Sequence, residues 1–133
     1  MPSLVIYLHL ILITLGPKLT SAQDISLAEA KQAFADSDAT LNSVYNEARE
    51  TVPKYRFTKI QKEQHDWIAY RDNRAAAAAR FDGRAIPGKE SANPEYWNAM
   101  AYLTETRIEI LNAWMKVDTC LLYTSDAADD ASS

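Results

Sequence analysis

Closely spaced carboxylates are the first candidates for chemistry in this chain: Asp36 with Asp38, and Glu105 with Glu109. Two carboxyl groups whose surroundings drive their proton affinities apart can divide acid and base work across a glycosidic bond. Solvated helix faces, where charges simply meet water, explain both pairs better. His65 beside Asp66 is a second candidate, because an imidazole held by a carboxylate serves as a general base. On the outer face of a helix the same pair is only an exposed histidine. Other chemistry lacks its residues. His9 and His65 are the only histidines and Cys120 the only cysteine, too few for a typical zinc set. No serine stands in a nucleophile-elbow context, and Gly16, Gly83 and Gly88 are too scattered to cradle a phosphate. The chain reads as a non-enzyme with neither a cofactor nor a metal site.

The densest local pattern is Gln64-His65-Asp66-Trp67-Ile68-Ala69-Tyr70-Arg71-Asp72, which sets a tryptophan, a tyrosine and a charged pair on successive turns of one helix. Trp67 is expected in the core, with Tyr70 packed beside it and its hydroxyl toward water. Arg71 is expected to reach Glu105 or Asp72 as a partly buried ion pair, and Arg107 to pair with an acidic residue of the first or second helix. Buried polar groups need partners, so these residues are expected to hold the fold together rather than to bind anything.

Three helices must position them. Ser26-Leu27-Ala28-Glu29 fits a capping box. From there Leu27, Phe34, Leu41 and Ala48 recur every seven residues, with Ala30, Val44, Tyr45 and Val52 beside them, predicting a helix to about Glu50 that Pro53 ends. A second helix carries Phe57, Ile60, Gln64, Trp67, Ile68, Arg71, Ala75 and Ala78 on one face. Its run Ala75 to Ala79 either admits a close helix neighbour or simply favours helix. Asp82-Gly83 ends it, and Gly83, Pro87, Gly88 and Ser91 mark a loop. Asn93 caps a third helix with Pro94 in its first turn, faced by Trp97, Ala101, Thr104, Ile108, Leu111 and Met115. The expectation is an all-α fold, a small antiparallel bundle of about three helices.

Two flanks differ from this pattern. Residues 1–22 read as a cleaved secretory signal: Leu4 to Leu15 is an apolar run too short to span a bilayer, Gly16 and Pro17 end it, and Thr20-Ser21-Ala22 supplies small residues for cleavage. The domain is then 23–119, exported to the periplasm or outside the cell, soluble and without a membrane span. Residues 120–133 share none of the helical patterning. Cys120 to Asp130 back-translates to a transposase end sequence used in preparing sequencing libraries; a disordered acidic tail has the same composition. With 14 Lys plus Arg against 18 Asp plus Glu, a net charge of −4, the chain lacks the concentrated basic face of a nucleic-acid binder. No cysteine precedes position 120, so packing rather than disulfides must hold the domain.

Leu41-Asn42-Ser43-Val44-Tyr45, Gln64 through Asp72, and Leu103-Thr104-Glu105-Thr106-Arg107 follow one another in an order and spacing that resemble the lysozyme-inhibitor LprI-like family of small exported helical proteins. The likeness covers about residues 26 to 115, and Trp67-x-x-Tyr70-Arg71-Asp72 is its central element. The motif residues Leu41, Asn42, Tyr45, Gln64, Trp67, Tyr70, Arg71, Asp72, Leu103, Thr104 and Arg107 are expected to be structural. In that family, cysteines often occupy the positions of Ala75 and Ala99, so the resemblance implies a lost disulfide between the second and third helices. It also implies a periplasmic protein that binds lysozyme and blocks its cleft. That cleft works through paired carboxylates, which favours a blocker presenting cations on a stiff loop. Gly83 to Ser91 offers Arg84 and Lys89 around Pro87, although most such loops are mere connectors. The alternative is a non-catalytic envelope adaptor holding a protein partner through exposed aromatics such as Tyr55, Tyr96 or Tyr102.

Overall fold

The computed structural model describes residues 25–131, with side chains described to Leu121 except that of Thr119. The expected signal segment 1–22 lies outside the described residues. Three α-helices make the fold, and no strand occurs among the described residues. α1 is Leu27–Thr51, α2 is Lys54–Phe81 and α3 is Pro94–Ala131, with a short 3₁₀ turn at Glu90–Ala92 before α3.

Each boundary has a local cause. At the start of α1 the Ser26 hydroxyl accepts the Glu29 amide at 3.2 Å and the Glu29 carboxylate accepts the Ser26 amide at 2.9 Å. The predicted capping box is therefore complete, and it satisfies two donors that a helix N-terminus otherwise leaves open. α1 ends one residue past the expected Glu50, where Val52 turns to ψ 152° ahead of Pro53. Pro53 has no amide hydrogen to donate, but its carbonyl accepts from Arg56 and Phe57 at 2.9 and 3.0 Å, starting α2 immediately. α2 stops at Phe81, and Gly83 follows at φ +75°, a conformation that side chains resist. Asn93 caps α3 by accepting the Glu95 amide at 2.8 Å. α3 runs on as helix through the segment read as a tail, as far as Ala131.

α3 is the common partner: it lies against α1 along most of its contact and against α2 as well, while the α1 and α2 backbones come close at few points. Leu41, Val52, Ile60 and Leu111 form the centre, flanked by Val44, Tyr45, Phe57, Trp67, Ile108, Trp114 and Met115. Leu111 is fully enclosed; burying such a side chain contributes about 1.5 to 3 kcal/mol. Ala75 and Ala79 are also fully buried, one turn apart, whereas Ala77 between them faces water. Close packing therefore explains two residues of the alanine run, and helix propensity the exposed one. Ile68 departs from expectation: placed on the inner stripe by spacing, it is 42% exposed. Gln64, Trp67 and Arg71 occupy the inward line and leave Ile68 at its edge.

Candidate functional site

Where α1 and α2 stand apart, large side chains fill the seam, and they alternate in kind. The Arg71 guanidinium lies 5.3 Å from the Phe34 ring centre and 5.2 Å from that of Trp67. The Arg107 guanidinium lies 5.6 Å from Trp67 and 5.1 Å from Trp114. Phe34 of α1, Arg71 and Trp67 of α2, and Arg107 and Trp114 of α3 thus form one stack of rings and planar cations. Such contacts strengthen when they leave water. At the α1 end the stack continues to Trp97, whose ring is 5.4 Å from Phe34 and 5.1 Å from Tyr96 and lies beneath Lys31 at 5.7 Å.

The two arginines differ in charge balance. Arg71 donates to Asp72 at 3.0 Å, as one of its two expected pairings, and to Asp38 of α1 at 3.4 Å. Glu105, the other expected partner, instead accepts the Ser37 hydroxyl at 3.3 Å. Arg107 meets no carboxylate: its Nε donates to Gln64 Oε1 at 2.8 Å, and its Nη2 is buried without a hydrogen-bond partner among the described residues. The expected acidic partner is thus replaced by a buried amide and two indole faces. Burial pushes the Arg107 guanidinium below its ordinary range, with the Glu63 charge opposing that shift.

The remaining motif residues fall around this stack. Leu41 is core; Leu103 and Tyr45 are half-buried, the latter 5.2 Å from Phe57; Asn42 is exposed. Thr104 is fully buried, and its hydroxyl lacks a partner among the described residues. Tyr70 is half exposed and carries Arg74 at 6.0 Å. Spacing alone had not singled out Trp114, although it lies seven residues after Arg107 and so shares its face, and Asp38, considered only as one of a carboxylate pair, had not been matched to Arg71. Asp118 was missed as well. It is buried and accepts from Arg56 Nη2 at 2.7 Å and Nε at 2.9 Å, which raises the Arg56 guanidinium above its usual range. Nearby, Arg56, Lys59, Ile60, Glu63, Trp114 and Asp118 line an open cleft of about 130 Å³.

His65 and Asp66 are 3.7 Å apart with side chains 91% and 74% exposed, as expected for a solvated pair. Asp38 is tied to Arg71 and is separated in role from Asp36, which accepts from Gln32 at 2.9 Å. Among the described residues no group of three metal-ligating side chains gathers, and no helix is long and apolar enough to cross a membrane.

The other candidate surface is the α2–α3 loop. Arg80 and Glu90 bridge its two ends at 3.0 Å, the Lys89 amide donates to Ile86 O at 2.9 Å, and Trp97 Nε1 donates to Ser91 O at 2.8 Å. The Glu90 and Gly88 amides, together with Arg80, hold the Glu90 carboxyl below the usual carboxylate range. Arg84 and Lys89 are both exposed; Arg84 also lies 3.6 Å from Asp82. Of the tyrosines considered for a partner patch, Tyr55 and Tyr102 are 69% and 68% exposed. Tyr96 is not: it packs on Trp97, and burial, assisted by the Asp72 charge, raises its hydroxyl pKa.

The family profile described as lysozyme inhibitor LprI matches residues 19–111, most of the chain and every member of the stack except Trp114. No curated protein and no solved structure matches the chain.

Proposed function

The chain belongs to the LprI lysozyme inhibitor family, and from that premise we propose that it is exported in soluble form and inhibits a lysozyme outside the cytoplasm by obstructing its substrate cleft. The family match across all three helices carries this reading. The stack and the other motif residues serve the fold in this account: the arginines and rings meet one another between the helices, and Gln64 accepts from Arg107 there. The contact belongs to the α2–α3 loop, where Arg84 and Lys89 offer cations to a cleft that works through carboxylates. Hydrogen bonds at both ends order this loop before binding, which lowers the entropy lost on association.

Adding the purified protein to a lysozyme turbidity assay tests the reading directly: lysis of a cell suspension should slow in proportion to the inhibitor added. Neutralising Arg84 and Lys89 together should raise the inhibition constant at least tenfold, equivalent to about 1.4 kcal/mol. Unimpeded lysis at a large excess of protein refutes inhibition. A second reading rests on the exposed rings of Tyr55 and Tyr102, which suit an envelope adaptor. It predicts that the protein retains a specific envelope partner in pull-downs and leaves lysozyme untouched.

A further inference from the structure

Phe81 is the most anomalous apolar residue described in this chain. It closes α2 with 94% of its surface in water, although a phenylalanine gains more from burial than most side chains. Five residues on, Ile86 is 63% exposed. Phe81 ends α2 and Ile86 lies on the loop that follows, whose base is tied down: the Asp82 amide donates to Ala78 O at 3.2 Å, the Gly83 amide to Arg80 O at 3.0 Å, and Arg80 meets Glu90 across it. The charges around them are biased. The tip's two carboxylates, Asp82 and Glu90, face Arg84 and Arg80, while Lys89 adds an exposed cation. A rigid apolar tip rimmed by cations matches a groove that combines carboxylates with surfaces for the apolar faces of sugars.

Resting on the inhibitor reading above, we propose that Phe81 and Ile86 are the apolar anchor of the complex, seated in the saccharide-binding cleft of the lysozyme. Arg84 and Lys89 then lie at the rim against its carboxylates. Interfaces concentrate their energy in a few central aromatic side chains surrounded by polar contacts, and this loop has that layout.

The test compares the full chain with Phe81→Ser, Ile86→Ser and, as an exposed apolar control on α2, Ile68→Ser, using a c-type lysozyme and a trimer of N-acetylglucosamine as competitor. Circular dichroism should be unchanged in all three, because each side chain already faces water. Phe81→Ser should raise the inhibition constant at least tenfold, Ile86→Ser several-fold, and Ile68→Ser less than twofold; the trisaccharide should displace the wild-type protein competitively. If the wild-type protein inhibits and Phe81→Ser inhibits equally well, the anchor is wrong while the inhibitor reading survives. Binding of the protein to lysozyme that the trisaccharide cannot displace overturns the cleft as the seat. A wild-type dimer in light scattering that Phe81→Ser converts to monomer shows that the occupant is a second copy of the chain, which also overturns the proposal. A wild-type protein without inhibition removes both readings at once.

Discussion

Arg107 is buried with its charge facing two indole rings and one amide, and that isolates what an arginine does here that a lysine could not. A guanidinium can lose its hydration to planar faces because its charge is spread over a plane; an ammonium is a compact, strongly hydrated ion. Arg107→Lys is therefore expected to destabilise the domain by about 2 kcal/mol or more, whereas Arg107→Met, which keeps the stem and discards the charge, should stay within about 1 kcal/mol of the parent in chemical denaturation. A larger loss in Arg107→Met than in Arg107→Lys would show that the charge itself is required. Arg71 is different, since it has carboxylates at both Asp72 and Asp38 and rings at both Phe34 and Trp67. Removing it opens a gap between α1 and α2 and strands those partners. Arg71→Ala should cost roughly 2 to 4 kcal/mol, read as a lower melting temperature. Below that temperature, lysozyme inhibition should persist; loss of inhibition in a well-folded Arg71→Ala would assign the residue to the contact.

At the scale of elements, the helix boundaries were legible because each depends on a few neighbouring residues. Ser26 with Glu29, Pro53, Gly83, and Asn93 with Pro94 set the ends almost where spacing predicted them. What spacing could not show was which partner each polar group finds, since that depends on how the helices turn against one another. Glu105 and Asp38 illustrate the point: both lie on helix faces, yet Arg71 takes Asp38 and Glu105 turns to Ser37. The order in the α2–α3 loop was equally hidden, because the Arg80 to Glu90 bridge joins residues with no periodic relation. That bridge gives the loop a pH dependence of definite sign. The Glu90 carboxyl is depressed in the folded state, chiefly by backbone amides and then by Arg80. Its contribution is complete above the carboxyl's unfolded pKa of about 4.3 and disappears as pH falls through the lower folded value. Hydrogen exchange of the Gly88 and Glu90 amides should accordingly speed up in acid, relative to the intrinsic rate, before the helices unfold. Glu90→Gln should reproduce the effect at neutral pH. Protection that is indifferent to both changes would mean the latch does not hold the loop.

For the molecule as a whole, the arrangement of α3 as shared partner explains how a domain of this size holds together without a cross-link between helices. Cys120 is the only cysteine, so α2 and α3 are joined by side-chain packing and by Arg107 with Gln64 rather than by a covalent bond. The resemblance places the family's paired cysteines at Ala75 and Ala99, and the fold puts these on α2 and α3, one buried and one half-buried. Restoring them tests the alignment and the packing together. Ala75→Cys with Ala99→Cys should form a disulfide under oxidising conditions without altering the helical spectrum. Closing that loop should stabilise the domain by ~2 to 4 kcal/mol. For a domain near 100 residues each kcal/mol moves the melting point by roughly 4 to 8 °C, so the change is large enough to read in a single thermal scan, and reductant should abolish it. Since Ala75 is fully enclosed, the reduced double variant is expected to melt slightly below the parent, because a thiol must be fitted where a methyl group now packs. Two free thiols that never pair in the folded protein would mean that α2 and α3 meet in a different register from the family's, and that the position of the loop between them cannot be carried over from it.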